Sequence, residues 1–310
     1  MLIPKRLPRH AVIGIVSPAS PQRDPSRLDR GIRYLESLGY RVELGRAARR
    51  SHAGYLAGTD EERLSDLMDM FTNDGIDAIM CARGGYGTMR LLDDIDYRII
   101  RRHPKIFVGF SDTTALQLAI WKKTSLVTFS GAMPSVDMAD TFDGESEEWF
   151  WRVLTSAKPL GPLKQSLPVT ILRRGAAEGR LLGGNLSVFV SLLGTPYMPA
   201  LEDNVLVLED VGEETYRIDR MLTQLSLAGI PSSCAATVFG QFTQKVVRGS
   251  STQTRDIGEV LTEYAARSTG PVLGNLMYGH EQKKLTLPMG IRASISARSR
   301  YLRLVDAAVR

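Results

Sequence analysis

Ile106-Phe107-Val108-Gly109-Phe110-Ser111-Asp112 is an apolar run that stops at a serine, and a helical face of Ala115, Leu116, Ala119 and Ile120 starts directly behind it. A short apolar strand feeding straight into a helix is one step of a parallel α/β sheet. The residues upstream repeat the pattern. Ala11 to Val16 predicts a first strand, followed by an N-cap at Asp24, Pro25 at the first helical position, and Leu28, Ile32, Leu35 and Leu38 on one face until Gly39. Tyr40 to Leu44 predicts a second strand. Thr59 or Asp60 then caps a helix whose Leu64, Leu67, Met68 and Phe71 share a face. Ile76 to Cys81 predicts a third strand, closed by the turn Arg83-Gly84-Gly85-Tyr86-Gly87, and a short helix is expected over Thr88 to Asp93. Val127 to Ser130 offers a fifth strand after the Ile106 to Phe110 run.

Downstream the pattern loosens between Pro134 and Ala177, where Asp and Glu clusters, Trp149, Trp151 and three prolines predict a connection with one helix near Glu145 to Thr155. It resumes with a helix after Gly183-Gly184-Asn185 and a strand from Val205 to Glu209, then a helix from Glu213 to Ala228 and a strand around Ala236 to Gly240. A helix from Thr254 to Ala266 and an apolar strand from Val272 toward Gly279-His280 complete it. The expectation is an α/β chain. An N-terminal, mostly parallel, flavodoxin- or Rossmann-like sheet over 1–135 is joined by a linker, 136–177, to a smaller α/β or α+β domain over 178–310, with a site between them.

Composition narrows the function classes. The 310 residues are 43% hydrophobic and 24% charged, an ordinary globular mixture, and 39 Lys and Arg against 34 Asp and Glu leave a formal charge of only +5. Arg46, Arg49 and Arg50, Arg101 and Arg102, and Arg173 and Arg174 lack interleaved aromatics, so they read as solvated faces and not as a nucleic-acid surface. No run of about 18 apolar residues occurs, and the basic start has no apolar segment before a cleavage site, so a cytoplasmic protein without a membrane partner is expected. Cys81 and Cys234 lie far apart and read as reduced thiols, and no metal-ligand spacing or cofactor fingerprint is present.

Ser111 sits where a nucleophile elbow would place it, although the full G-x-S-x-G is absent and spacing alone favours a plain N-cap serine. A serine needs a base, and of the four histidines His10, His52 and His103 lie in polar or basic stretches, whereas His280 follows an apolar strand and a glycine turn. Glu209 and Asp210 end the Val205 strand, pointing to opposite faces if it continues, so one of them is the carboxylate that would orient the imidazole. A solvated loop acid or a cap of the Glu213 helix is the plainer reading of either. The turn after the third strand lets a substrate approach Arg83 and Gly84 closely. Backbone N–H groups of that turn and of Asp112 offer an oxyanion hole, with an ordinary tight turn as the alternative.

Together Cys81-Ala82-Arg83-Gly84-Gly85-Tyr86-Gly87, Gly109-Phe110-Ser111-Asp112, Leu208-Glu209-Asp210 and Gly274-Asn275-Leu276 with Gly279-His280 resemble, in order and distance, the LD-carboxypeptidases of murein recycling, including Gly183-Gly184-Asn185-Leu186. The microcin C immunity proteins are their sister group. The resemblance implies a metal-independent Ser111, Glu209, His280 triad, with Gly85 and Asp112 N–H groups as oxyanion donors and no cofactor. It implies hydrolysis of an L-diamino acid to D-Ala bond in a cytoplasmic murein tetrapeptide by a homodimer, with Arg83 as a candidate partner for the substrate carboxylate. Two alternatives remain. One is a hydrolase of peptidyl- or aminoacyl-nucleotides, for which Trp149 and Trp151 fall near the expected base-stacking loop. The other is a non-catalytic α/β protein that binds a small ligand.

Overall fold

A computed structural model describes residues 1–243 and 255–310. The first half lays down β1 (Val12–Val16), α1 (Pro25–Ser37), β2 (Arg41–Leu44), α2 (Asp60–Thr72), β3 (Ala78–Cys81), α3 (Tyr97–Arg102), β4 (Ile106–Gly109), α4 (Thr114–Thr124), β5 (Thr128–Ser130) and α5 (Gly144–Thr155). The rest adds β6 (Gly161–Pro162), β7 (Thr170–Arg173), β8 (Ala176–Asn185), α6 (Leu186–Ser191), β9 (Asn204–Val211), α7 (Thr215–Leu227), α8 (Ile230–Ser233), β10 (Ala236–Thr243), α9 (Ile257–Arg267), β11 (Val272–Gly274), β12 (Leu287–Met289), β13 (Arg292–Ser296) and β14 (Tyr301–Leu304).

Local chemistry sets these limits. Asp24 accepts from the Ser26 N–H at 2.9 Å with Pro25 behind it, and Gly39 leaves α1 at φ 86°. Thr59 and Glu62 exchange the two bonds of a capping box at the start of α2. The expected start of the Thr254 helix lies outside the described residues; α9 opens at Asp256, which accepts from the Gly258 N–H at 2.7 Å.

β1 to β5 form a parallel sheet in the spatial order β2-β1-β3-β4-β5, a doubly wound order, with β3 and β4 buried throughout. The second sheet runs β6-β14-β13-β8-β9-β10-β11-β7, with β8 to β11 parallel at its centre. The two sheets are stitched together. β12 leaves the C-terminal half and pairs antiparallel with β5, Leu287 opposite Ser130. α4 packs against β5 and against β8, so residues 114–120 are buried all round.

Three elements differ from the sequence reading. The 136–177 stretch holds the expected helix, but its β6 and β7 also close the two edges of the second sheet. The apolar strand from Val272 ends at Gly274, because Asn275 turns left-handed (φ 59°) and its side chain donates to the Pro168 carbonyl at 2.9 Å. The helix expected over Thr88 to Asp93 is a single 3-10 turn, Thr88–Leu91.

Candidate active site

Ser111 follows β4 in the left-handed region, φ 63°, a conformation that costs a non-glycine residue roughly 1–2 kcal/mol. The turn is shaped by its neighbours. A Cβ on Gly84 would lie 2.9 Å from the Ser111 Cβ and 3.2 Å from its Oγ, so only glycine lets this backbone pass the hydroxyl. Ser111 is not the N-cap of the helix behind it: Phe110 holds the cap position of the short turn Ser111–Thr113, and Thr113 that of α4.

Asp112 fastens the elbow to the glycine turn. Its carboxylate accepts the Thr88 N–H at 2.9 Å, and its carbonyl accepts the Thr88 hydroxyl at 2.7 Å. Burial pushes the Asp112 carboxyl upward, with the Thr88 bonds acting in the other direction. Gly85 stands at φ 124° over Ser20, whose hydroxyl accepts the Tyr86 N–H at 3.1 Å, and a Cβ there would meet that oxygen. The N–H groups named as oxyanion donors thus lie on the two backbones that Asp112 ties together.

The second sheet supplies the base and its carboxylate. Glu209 is fully buried near the carboxyl end of β9, and its Oε2 lies 2.8 Å from His280 Nδ1. Its Oε1 accepts from Asn185 Nδ2 at 3.2 Å. Asp210 takes the other task. Its Oδ2 accepts the Ser187 N–H at the start of α6 at 2.9 Å, so it caps that helix and not the one after Glu213. The strict alternation expected of the two acids is relaxed, since the same Asn185 amide also donates to Asp210 at 3.1 Å. Burial pushes the Asp210 carboxyl up to about 6, with the nearby Glu209 charge adding to the rise.

The two halves meet at Phe110. Its ring lies 4.9 Å from the His280 imidazole and 5.4 Å, edge-on, from Tyr278, whose hydroxyl bonds Ser130 at 2.7 Å. The residue before the serine is thus wedged against the histidine. Among the described residues the Ser111 hydroxyl has no hydrogen-bond partner, so it is not bonded to the imidazole in this state, and it is the Phe110 ring, one residue before it, that touches His280.

The remaining candidates separate clearly. Arg83 is half-buried and donates to the Gly84 and Pro21 carbonyls; among the described residues it has no acidic partner, and burial together with Arg23 and Arg27 lowers its proton affinity. Trp149 is buried and donates to the Thr286 carbonyl at 2.8 Å, while Trp151 stacks on Tyr40 at 5.1 Å and donates to the Tyr34 hydroxyl at 2.9 Å. Both rings are packing residues. His103 pairs with Asp74 and His10 with the Gly39 carbonyl. Cys81 and Cys234 are free and buried, the Cys234 thiol pushed up to about 12 by burial. Among the described residues no group of three metal-ligating side chains occurs, and no helix is long and apolar enough to cross a membrane.

Sequence reasoning missed Asn185, Thr88 and the Tyr278–Ser130 bond as parts of this site. Only the Gly183-Gly184-Asn185 run carried a signal: Gly184 at φ 138° packs on Thr114, whose hydroxyl accepts the Asn185 N–H at 3.1 Å.

Both halves of the chain match known proteins. Residues 13–131 match the LD-carboxypeptidase N-terminal domain, and residues 178–295 match the LD-carboxypeptidase C-terminal domain. A probable murein peptide carboxypeptidase of Bacillus subtilis is 39% identical over 293 residues, covering 94% of this chain and 91% of that protein. The crystal structure of muramoyltetrapeptide carboxypeptidase from Oxalobacter formigenes superposes with a TM-score of 0.82 at 32% identity, over 96% of this chain and 99% of the other. The Escherichia coli microcin C7 self-immunity protein MccF, in complex with aspartyl sulfamoyl adenosine, superposes with a TM-score of 0.89 at 26% identity, over the whole of both chains.

Proposed function

This chain belongs to the LD-carboxypeptidase family of serine peptidases, and from that premise we propose that Ser111, His280 and Glu209 hydrolyse the bond joining an L-diamino acid to the terminal D-Ala of a murein tetrapeptide. The observation that carries the proposal is the buried Glu209 carboxylate 2.8 Å from His280 Nδ1, with that imidazole resting on Phe110 beside a strained Ser111.

The bond to Glu209 keeps the Nδ1 proton in place and leaves Nε2 as the acceptor. When a substrate carbonyl settles at the elbow, His280 takes the Ser111 proton as the oxygen attacks the carbonyl carbon. The negative oxygen is received by the N–H groups of Gly85 and Asp112. Collapse expels D-Ala, whose nitrogen takes the proton back from His280. Water, deprotonated by the same imidazole, then cleaves the acyl ester and frees Ser111. Arg83, beside Gly84 and without an acid partner among the described residues, is the cation for the carboxylate at the substrate end. In this reading the enzyme works as a cytoplasmic homodimer on peptides recovered from the cell wall.

A nucleotide conjugate is the competing substrate, by analogy with the MccF complex. The packing of Trp149 and Trp151 favours the peptide, because Trp149 is buried and Trp151 is already stacked on Tyr40 and bonded to Tyr34. The test is D-Ala release from a murein tetrapeptide by the wild type and by Ser111→Ala. Release by the wild type alone is expected. Equal release by both would remove the serine from the mechanism, and cleavage of an aminoacyl sulfamoyl nucleoside in preference to the peptide would reverse the choice of substrate.

A further inference from the structure

Four residues beyond His280 the chain buries a lysine. Lys284 is 3% exposed on its side chain, and its Nζ lies 3.0 Å from Asp137 Oδ1. The pair bridges the two halves of the molecule. Asp137 belongs to the turn after β5, where its Oδ2 accepts the Met133 N–H at 2.8 Å, while the Lys284 N–H donates to the Ser146 hydroxyl, at 3.0 Å, on α5. The Lys284 ammonium also lies 4.6 Å from the centre of the Phe110 ring, the ring that touches His280. A small cavity of about 240 Å³ beside this pair is lined by His280, Glu281, Asp137, Asp140 and Lys284. Nothing in the proposed chemistry uses the pair.

Burying two charges is expensive, and a hydrophobic pair would serve stability equally well. Its placement suggests a different role. We propose that Lys284 and Asp137 are positioning residues: they clip the His280 loop onto the Phe110 wall, and their mutual neutralisation sets the proton affinity of the base. This rests on the reading of His280 as that base.

The charged groups facing His280 are Glu209 from β9, Glu281 on its own loop, and Lys284, Asp137 and Asp140 across the cavity. Asp140 is paired with Arg27 at 2.6 Å, and Glu209 stays in place in every variant considered. Unbalancing the clip therefore changes one charge near the imidazole at a time. Removing the ammonium leaves the Asp137 carboxylate, which favours imidazolium and moves the acid limb of the rate profile to higher pH. Removing the carboxylate leaves the ammonium and moves the limb to lower pH. An unbalanced charge on the far side of the Phe110 ring shifts the limb by roughly half to one pH unit. A purely structural clip has no reason to give opposite signs.

The experiment is the pH profile of kcat/KM for D-Ala release by Lys284→Gln and Asp137→Asn, each of which keeps a polar side chain and removes one charge. Opposite displacements are expected, with kcat falling and KM held within about twofold. Limbs that stay put, or move the same way in both variants, overturn the proposal. Circular dichroism checks folding. A variant that does not fold is replaced by Lys284→Arg or Asp137→Glu, which keep the charge and must hold the wild-type limb while kcat falls; a displaced limb there also overturns it. Failure here with Ser111→Ala inactive removes only the clip, whereas an active Ser111→Ala enzyme removes the triad.

Discussion

Replacing Glu209 by Gln changes almost no volume but changes which nitrogen of His280 holds a proton. Asn185 Nδ2 donates to Glu209 Oε1, so a glutamine at 209 is drawn with its carbonyl toward Asn185 and its amide toward His280 Nδ1. The imidazole would then accept at Nδ1 and carry its proton on Nε2, the nitrogen that must receive the Ser111 proton. The variant also loses the fully buried counter-charge of a half-buried imidazolium. Loss of one partner of a buried hydrogen-bonded charge pair costs about 2–5 kcal/mol, which is roughly a 30- to 5,000-fold fall in rate. The tautomer argument places Glu209→Gln near the upper end, with kcat down roughly a thousandfold and KM nearly unchanged. Asn185→Ala frees the glutamine to turn, so the Gln penalty should shrink in that background. Steady-state D-Ala release by the two single variants and the double variant forms the cycle. A Glu209→Gln enzyme within threefold of wild type refutes the reasoning, and an equal penalty in both backgrounds refutes the part assigned to Asn185.

Gly84→Ala would put a methyl 2.9 Å from the Ser111 Cβ and 3.0 Å from the Phe110 carbonyl; at least about a hundredfold loss of kcat is expected with the chain still folded by circular dichroism, and unchanged kcat would contradict the tight elbow. Asp210 has its carboxyl raised to about 6 by burial, so the folded state holds a proton that the unfolded chain releases near pH 4. Folding stability from this group is thus present below about pH 4 and lost as pH rises toward 6 and just above, by up to about 3 kcal/mol. Urea unfolding across that range should show the wild type losing stability relative to Asp210→Asn; a constant difference would count against it. Activity should survive EDTA, because a serine, an imidazole and a carboxylate complete the proton transfers unaided, and chelator-dependent loss would contradict the mechanism.

Much of the frame was legible because it rests on local rules. The Asp24 cap with Pro25, the cap at Thr59 or Asp60 and the run from Ile106 into Ser111 are each decided within a few residues, and each is found within a residue or two of its expected place. What escaped depends on distant pairing. β12 is only Leu287–Met289, too short for any periodicity, and it exists because the β5 edge needs a partner. β6 and β7 are likewise edge strands whose partners lie about 100 residues or more away. The site divides the same way. Ser111, Glu209 and His280 stand at the ends of apolar runs and could be picked out as chemistry, but no spacing states that Asn185 joins Glu209 or that Asp137 meets Lys284. Asp210 looked equivalent to Glu209 in sequence; the Ser187 amide at the start of α6 is what separates them.

The most direct test is to quench the enzyme with acid during turnover of a murein tetrapeptide, digest it, and locate any retained acyl group by mass spectrometry. A tripeptidyl ester on the peptide bearing Ser111, absent from Ser111→Ala, is the predicted result. An acyl group on another side chain, or steady hydrolysis by Ser111→Ala at the wild-type rate, would contradict it.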